Sequence, residues 1–290
     1  MKKKFLILLI LLGITLTCTT GCFDNDELEG SNITATVYPI EYLVDRLYGE
    51  NSKIASIYPN ATNINEYKLT EKQIKDFSKK TNLFVYNGLS SEKELAKTLI
   101  NKNKNIQIID VSYGMKYTHG LEEIWLNPSY YLNLANELKT NLKELSSSKY
   151  AAEKIEENYK KLEEDLAILD ATLRNIGKTA AKNNKNTVVI AYDTFGFLED
   201  YGFNIVNISN ENNITSSIKT KFKNKEYIYI FVKDKKEISN SVKDLVDNYD
   251  AKLIEINVME TLTDEERNNN DTYVTIMNDF LTNLTNATLS

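Results

Sequence analysis

From residue 32 onward the chain alternates between short runs of β-branched and aromatic residues and longer stretches whose apolar positions recur every three or four residues. The first kind suits buried strands and the second suits amphipathic helices. Strands are predicted over 33–37, 53–57, 83–86 and 106–111, with helices over 40–47, 70–78 and 92–100 among them. Pro128 stands at a helix start, where its missing N–H does little harm, and that helix runs on to 145. A second series has strands over 187–191, 204–208, 227–232 and 252–256, and helices over 194–201, 236–249 and 272–284. Strands alternating with helices of about ten residues predict mostly parallel sheets covered on both faces.

Between the two series, residues 149–182 form one charged stretch in which Ile155, Tyr159, Leu162, Leu166, Leu169 and Leu173 make a single apolar stripe. Such a stripe suits an interaction arm or a helix lying along one side of a two-lobed body. Because it ends where the second series begins, the second arrangement is expected. The predicted fold class is α/β, with two lobes, each a mostly parallel sheet flanked by helices, joined by one long rigid helix. The N-terminal α/β lobe spans 32–146, the linking helix 147–183 and the C-terminal α/β lobe 184–290. Two lobes make a cleft, and ligands of open α/β sheets bind beyond the strand ends. A single rigid connector restricts hinge bending between them.

The segment before the first strand has a different character. Lys2, Lys3 and Lys4 precede an apolar run over 5–12 that continues to Leu16, followed by Thr19-Thr20-Gly21-Cys22. A basic start, a short apolar core and small residues define a signal peptide over 1–21, and the run falls short of the ~20 residues of a membrane span. Cys22 is the expected lipidation site. Cys18 is the rival, less suitably preceded by Leu16 and Thr17. Residues 22–31 form a polar tether, so the expected location is extracytoplasmic, anchored to the outer face of the cell membrane as a lipoprotein. The chain has only these two cysteines, which leaves the mature part without a disulfide, thiolate metal site or catalytic thiol.

Charge narrows the partners. The formal net charge of −6 becomes more negative once the leading lysines are removed. An acidic chain lacks the Lys and Arg excess that neutralises phosphates, so no nucleic acid is expected. Cations are easier guests than anions. Enzymatic signatures are thin. His119 is the sole histidine and reads as an exposed loop residue, and no G-x-S-x-G elbow exists. Gly177-Lys178-Thr179 ends like a phosphate loop, but Thr172 stands at its first glycine and no strand precedes it. Glu122-Glu123 and Asp264-Glu265-Glu266 read as solvated surface. The chain is therefore not expected to be an enzyme.

The loops that follow strands carry more information: Tyr58 to Tyr67, Glu122 to Pro128 with the only tryptophan, and Ala191 to Phe197. All three are expected to line the cleft. Tyr38-Pro39-Ile40, the Ile57 to Lys72 loop with Ala61 in place of a glycine, Leu83 to Gly88, Trp125-Leu126-Asn127-Pro128, Tyr192 to Phe197 and Asp271 to Met277 occur in an order and spacing that resembles one family. It is the family of metal-binding lipoproteins of zinc and manganese ABC importers, and the resemblance covers nearly all the mature chain.

The resemblance implies a solute-binding protein that works with an ABC permease and its ATPase, held to the membrane by a lipid anchor and monomeric. It also implies metal positions, which this chain fills unusually. Asn65, Glu123 and Tyr192 stand at the family's three histidines, and Glu260 is the nearest carboxylate to its fourth, acidic, position. Imidazole suits zinc, whereas carboxylate and carbonyl oxygens suit magnesium, calcium or manganese. The cargo implied is a divalent metal ion or metal complex, with zinc not assured. Two other readings stay open: the same scaffold with a non-metal ligand, and a surface lipoprotein used in cell adhesion.

Overall fold

In the computed structural model, which describes Asp26 and residues 28–289, the predicted strands form two separate four-stranded parallel sheets. The signal peptide, Cys22 and half of the tether (residues 22–25 and 27) lie outside the described residues. The first lobe contains β1 (Asn32–Ala35), α1 (Tyr38–Tyr48), β2 (Lys53–Ser56), α2 (Glu71–Lys80), β3 (Leu83–Tyr86), α3 (Glu92–Lys102) and β4 (Gln107–Asp110). After it come α4 (Glu123–Leu126), α5 (Pro128–Leu145) and the long α6 (Lys149–Lys182). The second lobe contains β5 (Thr187–Ile190), a 3-10 helix (Asp193–Tyr201), β6 (Asn204–Asn207), α7 (Ser216–Lys223), β7 (Tyr229–Val232), α8 (Asn240–Tyr249) and β8 (Lys252–Glu255). The chain ends with α9 (Asp264–Asn268) and α10 (Tyr273–Leu289). The orders β2-β1-β3-β4 and β6-β5-β7-β8 repeat one topology, so each lobe has a switch point between its first and third strands.

Most strands are shorter than their apolar runs. Ile57, Val111, Ile208 and Ile256 lie just past the last ladder residue, yet each is buried. Burial continues into the turn after the hydrogen-bonded pairing has stopped, and apolar pattern reports burial rather than pairing. Helix starts follow capping chemistry. Thr70 and Gln73 form a reciprocal capping box that fixes the start of α2, and Ser239 caps α8 by accepting from Val242 N–H. That cap starts α8 four residues later than the apolar pattern suggests.

The long helix joins the two lobes and packs along α1, α5 and α10. Its stripe enters a hydrophobic core that runs without a break from Ile33 and Leu83 in the first lobe to Ile190 and Phe231 in the second. Two smaller clusters lie on the outer faces of the sheets. Gly177 allows α6 to approach the backbone of Tyr201, where a Cβ would collide with the Tyr201 carbonyl oxygen. Close packing is thus the role of the Gly177-Lys178-Thr179 segment. Near the seam, Tyr131 stacks on Tyr273 with ring centroids 4.0 Å apart, and their hydroxyls donate to the carbonyls of Pro39 and Trp125, both at 2.7 Å. Buried aromatics with satisfied hydroxyls fix α1, α5 and α10 as one unit. No helix among the described residues is long and apolar enough to cross a membrane.

Two local features are open to direct measurement. Exposed Ala61 has φ of 53°, a left-handed conformation that strains a residue with a Cβ, while its N–H donates to Leu262 O at 2.9 Å. Ala61→Gly should raise stability by about 0.5–1 kcal/mol after the extra freedom of unfolded glycine is counted. A higher thermal midpoint checks this, and a lower one contradicts it. Glu92 opens α3 with a fully buried carboxyl that accepts from Asn87 N–H at 3.0 Å. Burial pushes this group up to about 7, against the hydrogen bond from Asn87. A carboxyl raised on folding contributes stability that is full below its ordinary value and lost as pH rises through about 7. Glu92→Gln should therefore raise the melting midpoint at pH ~8, by roughly 2–4 kcal/mol in stability, and lose that advantage at pH ~4. Equal midpoint gains at both pH values would count against it.

Candidate functional site

The second lobe's switch point lies between β5 and β7, and the residues just beyond those strands face the first lobe. Tyr192 and Thr194 follow β5, Lys233 follows β7, and Glu260 sits in the loop after β8. From the first lobe's side, Glu122 arrives at the turn that begins α4. The Tyr192 hydroxyl donates to Glu122 Oε1 at 2.5 Å, and the Thr194 hydroxyl to Glu122 Oε2 at 2.8 Å. Lys233 Nζ lies 2.8 Å from Glu260 Oε1 and 3.8 Å from Glu122 Oε1. Its ammonium also stands over the Tyr192 ring, 5.4 Å from the centroid. Two carboxylates brought together from opposite sides thus share one cation.

Local backbone makes these approaches feasible. A Cβ on Gly120 would overlap the Thr194 side chain, and one on Gly196 would overlap the His119 ring. The two glycines let the loop before α4 lie directly on the 3-10 helix, which brings Glu122 within reach of Tyr192 and Thr194. Glu260 is set from its other side. Trp125 Nε1 donates to Val258 O at 2.8 Å, Tyr38 N–H donates to Glu260 O at 3.1 Å, and Met259 between them has φ of 60°. A left-handed methionine is a strained conformation, held here by the contacts on either side.

Burial governs the electrostatics. Glu122 is 6% exposed and Glu260 8%. Burial works to raise the Glu122 carboxyl, but the Tyr192 and Thr194 hydroxyls and the Lys233 charge outweigh it and hold the group below its usual range. Glu260 is shifted upward, first by burial and then by the Glu122 charge, against the pull of Lys233. The Tyr192 phenol is pushed far up by burial and by the Glu122 carboxylate, so it remains a donor at any ordinary pH.

The family-equivalent positions read from sequence fall in different places. Tyr192 and Glu260 are in the cluster. Asn65 is exposed, with its N–H donating to Asn63 Oδ1 at 3.1 Å, and no bond joins it to the cluster among the described residues. Glu123 is buried, but its Oε2 accepts from the backbone N–H groups of Thr118 and His119 at 3.1 and 2.8 Å. It closes the loop before α4, while its neighbour Glu122 reaches the cleft. Glu122-Glu123 is accordingly not solvated surface: both carboxyls lie inside. His119 is not an exposed residue either but is half-buried against Gly196. Trp125 belongs to the core at 1% exposed, so the tryptophan of this loop does not line the cleft. Glu122 and Thr194 lie in two of the loops expected to line the cleft, though neither stands at a family metal position, and Lys233 lies outside those loops. A charged residue directly after the apolar run of β7 was the available signal for Lys233.

Among the described residues no three His, Cys, Asp or Glu side chains converge as a metal centre. The polar groups at hand are two carboxylates, a phenol and a hydroxyl, all oxygen, with one ammonium. That donor set matches a hard cation better than zinc. Beside the cluster opens a cleft of about 430 Å³, whose wall carries Asp234, Glu237, Glu255 and Glu266 along with Glu260 and Lys233. An acidic wall attracts cations toward the buried pair.

Comparison with known proteins bears on the fold and the family. No curated protein sequence matches the chain. Among solved structures, the Zn(II)-bound ZnuA-like domain of Streptococcus pneumoniae AdcA is 21% identical with a TM-score of 0.72, covering 90% of this chain and 100% of that one. The metal-dependent lipoprotein YcdH of Bacillus subtilis is 20% identical with a TM-score of 0.74, at the same coverage. The periplasmic zinc-binding protein TroA of Treponema pallidum is 16% identical with a TM-score of 0.68, covering 89% of this chain and 99% of that one. At these identities the likeness is one of fold. The sequence profile of ZnuA, described as the periplasmic component A of zinc-uptake complexes, matches residues 33–287. The chain belongs to that family, whose members are solute-binding components of importers and not enzymes.

Proposed function

We propose that this chain is an extracytoplasmic solute-binding lipoprotein that captures a divalent metal ion or metal complex in the interlobe cleft and delivers it to an ABC permease driven by its ATPase. Cys22 would carry the lipid anchor that keeps the protein at the outer face of the membrane. The observation that carries the reading is the pair Glu122 and Glu260, buried at the strand ends beside an acidic cleft. Burying two carboxylates costs several kcal/mol each unless a cation compensates them, so the site is built to hold positive charge. Family membership supports a metal as the source of that charge. The oxygen donors favour manganese, magnesium or calcium over zinc.

Melting the protein with each of these ions, with zinc and iron, and with simple metal chelates tests the reading. A ligand that binds only the folded chain stabilises it by about 2.7 kcal/mol at a hundred times its dissociation constant. At least one oxygen-preferring ion or chelate should raise the midpoint, and Glu122→Gln should abolish the rise. No shift with any of them removes metal as the cargo.

A further inference from the structure

We propose that Lys233 is a tethered counter-ion, whose ammonium holds the place a captured metal ion would take and must withdraw before such an ion can enter. The inference rests on the cation-capture reading and concerns a different residue. The nearest oxygens to Lys233 Nζ are the carboxylates a metal would use, Glu260 at 2.8 Å and Glu122 at 3.8 Å, and the Tyr192 ring lies beside it with its centroid at 5.4 Å. A cation entering between the two carboxylates therefore meets a fixed positive charge at a separation of a few ångströms, in a partly buried setting where water screens weakly.

The side chain is built to move. Its backbone is fixed at the end of β7, but the ammonium sits on a flexible four-carbon stem and its side chain is 25% exposed. It borders the open cleft, where Asp234 and Glu237 offer an alternative acidic environment. In the resting state the chain compensates its own carboxylates, so the lobes meet without cargo. A divalent ion gains entry only by outbidding the ammonium. Lys233 thereby sets affinity and selectivity: it weakens capture of bare ions and favours cargo able to displace it.

Titration calorimetry of the whole chain with manganese(II) tests this, comparing wild type with K233M, which keeps the stem and removes the charge. K233M should bind at least ~10-fold more tightly, within the range of coupling between groups in direct contact. K233Q repeats the comparison if K233M melts too low to measure. Equal affinities in wild type and the neutral variants overturn the tethered counter-ion and leave cation capture standing. Binding by the variants alone supports the counter-ion and removes bare manganese from the wild type's cargo. No binding by folded variants or wild type overturns both.

Discussion

Two carboxylates that meet inside a protein from opposite lobes need a positive charge between them. Glu122 and Glu260 are in this position, and Lys233 supplies the charge at 2.8 Å from one and 3.8 Å from the other. Much of the surrounding architecture serves that meeting. Gly120 and Gly196 remove the side chains that would hold the α4 loop off the 3-10 helix. Tyr192 and Thr194 satisfy both oxygens of Glu122, since a buried carboxylate with an unused lone pair is costly. Met259 accepts a left-handed backbone that aims Glu260 inward.

The seam around this cluster is closed by contacts from end to end. Trp125 reaches Val258 O, and Ala61 N–H reaches Leu262 O. Arg267 makes a two-pronged pair with Glu41 at 2.8 Å and also binds Asn60 Oδ1 at 2.6 Å. Beneath them the hydrophobic core is continuous across both lobes. Wide hinge opening would expose that core, so entry of cargo falls to side chains and loops at the strand ends.

Much of this was legible in the sequence. Apolar period separated strands from helices, and the 149–182 stripe is the buried face of α6. The family resemblance rested on ordered motifs such as Tyr38-Pro39-Ile40 and Trp125-Leu126-Asn127-Pro128, and the matching profile spans the same stretch. Helix α7 is not legible in the sequence because Ile218 and Phe222 are its only strong apolar signals in a polar run. The site was harder to read. Whether Glu122 or Glu123 faces the cleft depends on the direction of a single helical turn, which neighbouring carboxylates do not reveal. Lys233 and Glu260 are far apart in sequence and meet only through the parallel register of β7 and β8. Asn65 follows the family's spacing, yet its loop leaves it exposed.

A double-mutant cycle on thermal unfolding between Lys233→Met and Glu260→Gln addresses the shared-cation account most directly. If the ammonium compensates the buried pair, each single change destabilises the chain and the double change costs less than their sum, with a coupling of about 1–3 kcal/mol. Additive effects, with no coupling, would show that Lys233 and Glu260 act independently and contradict the account.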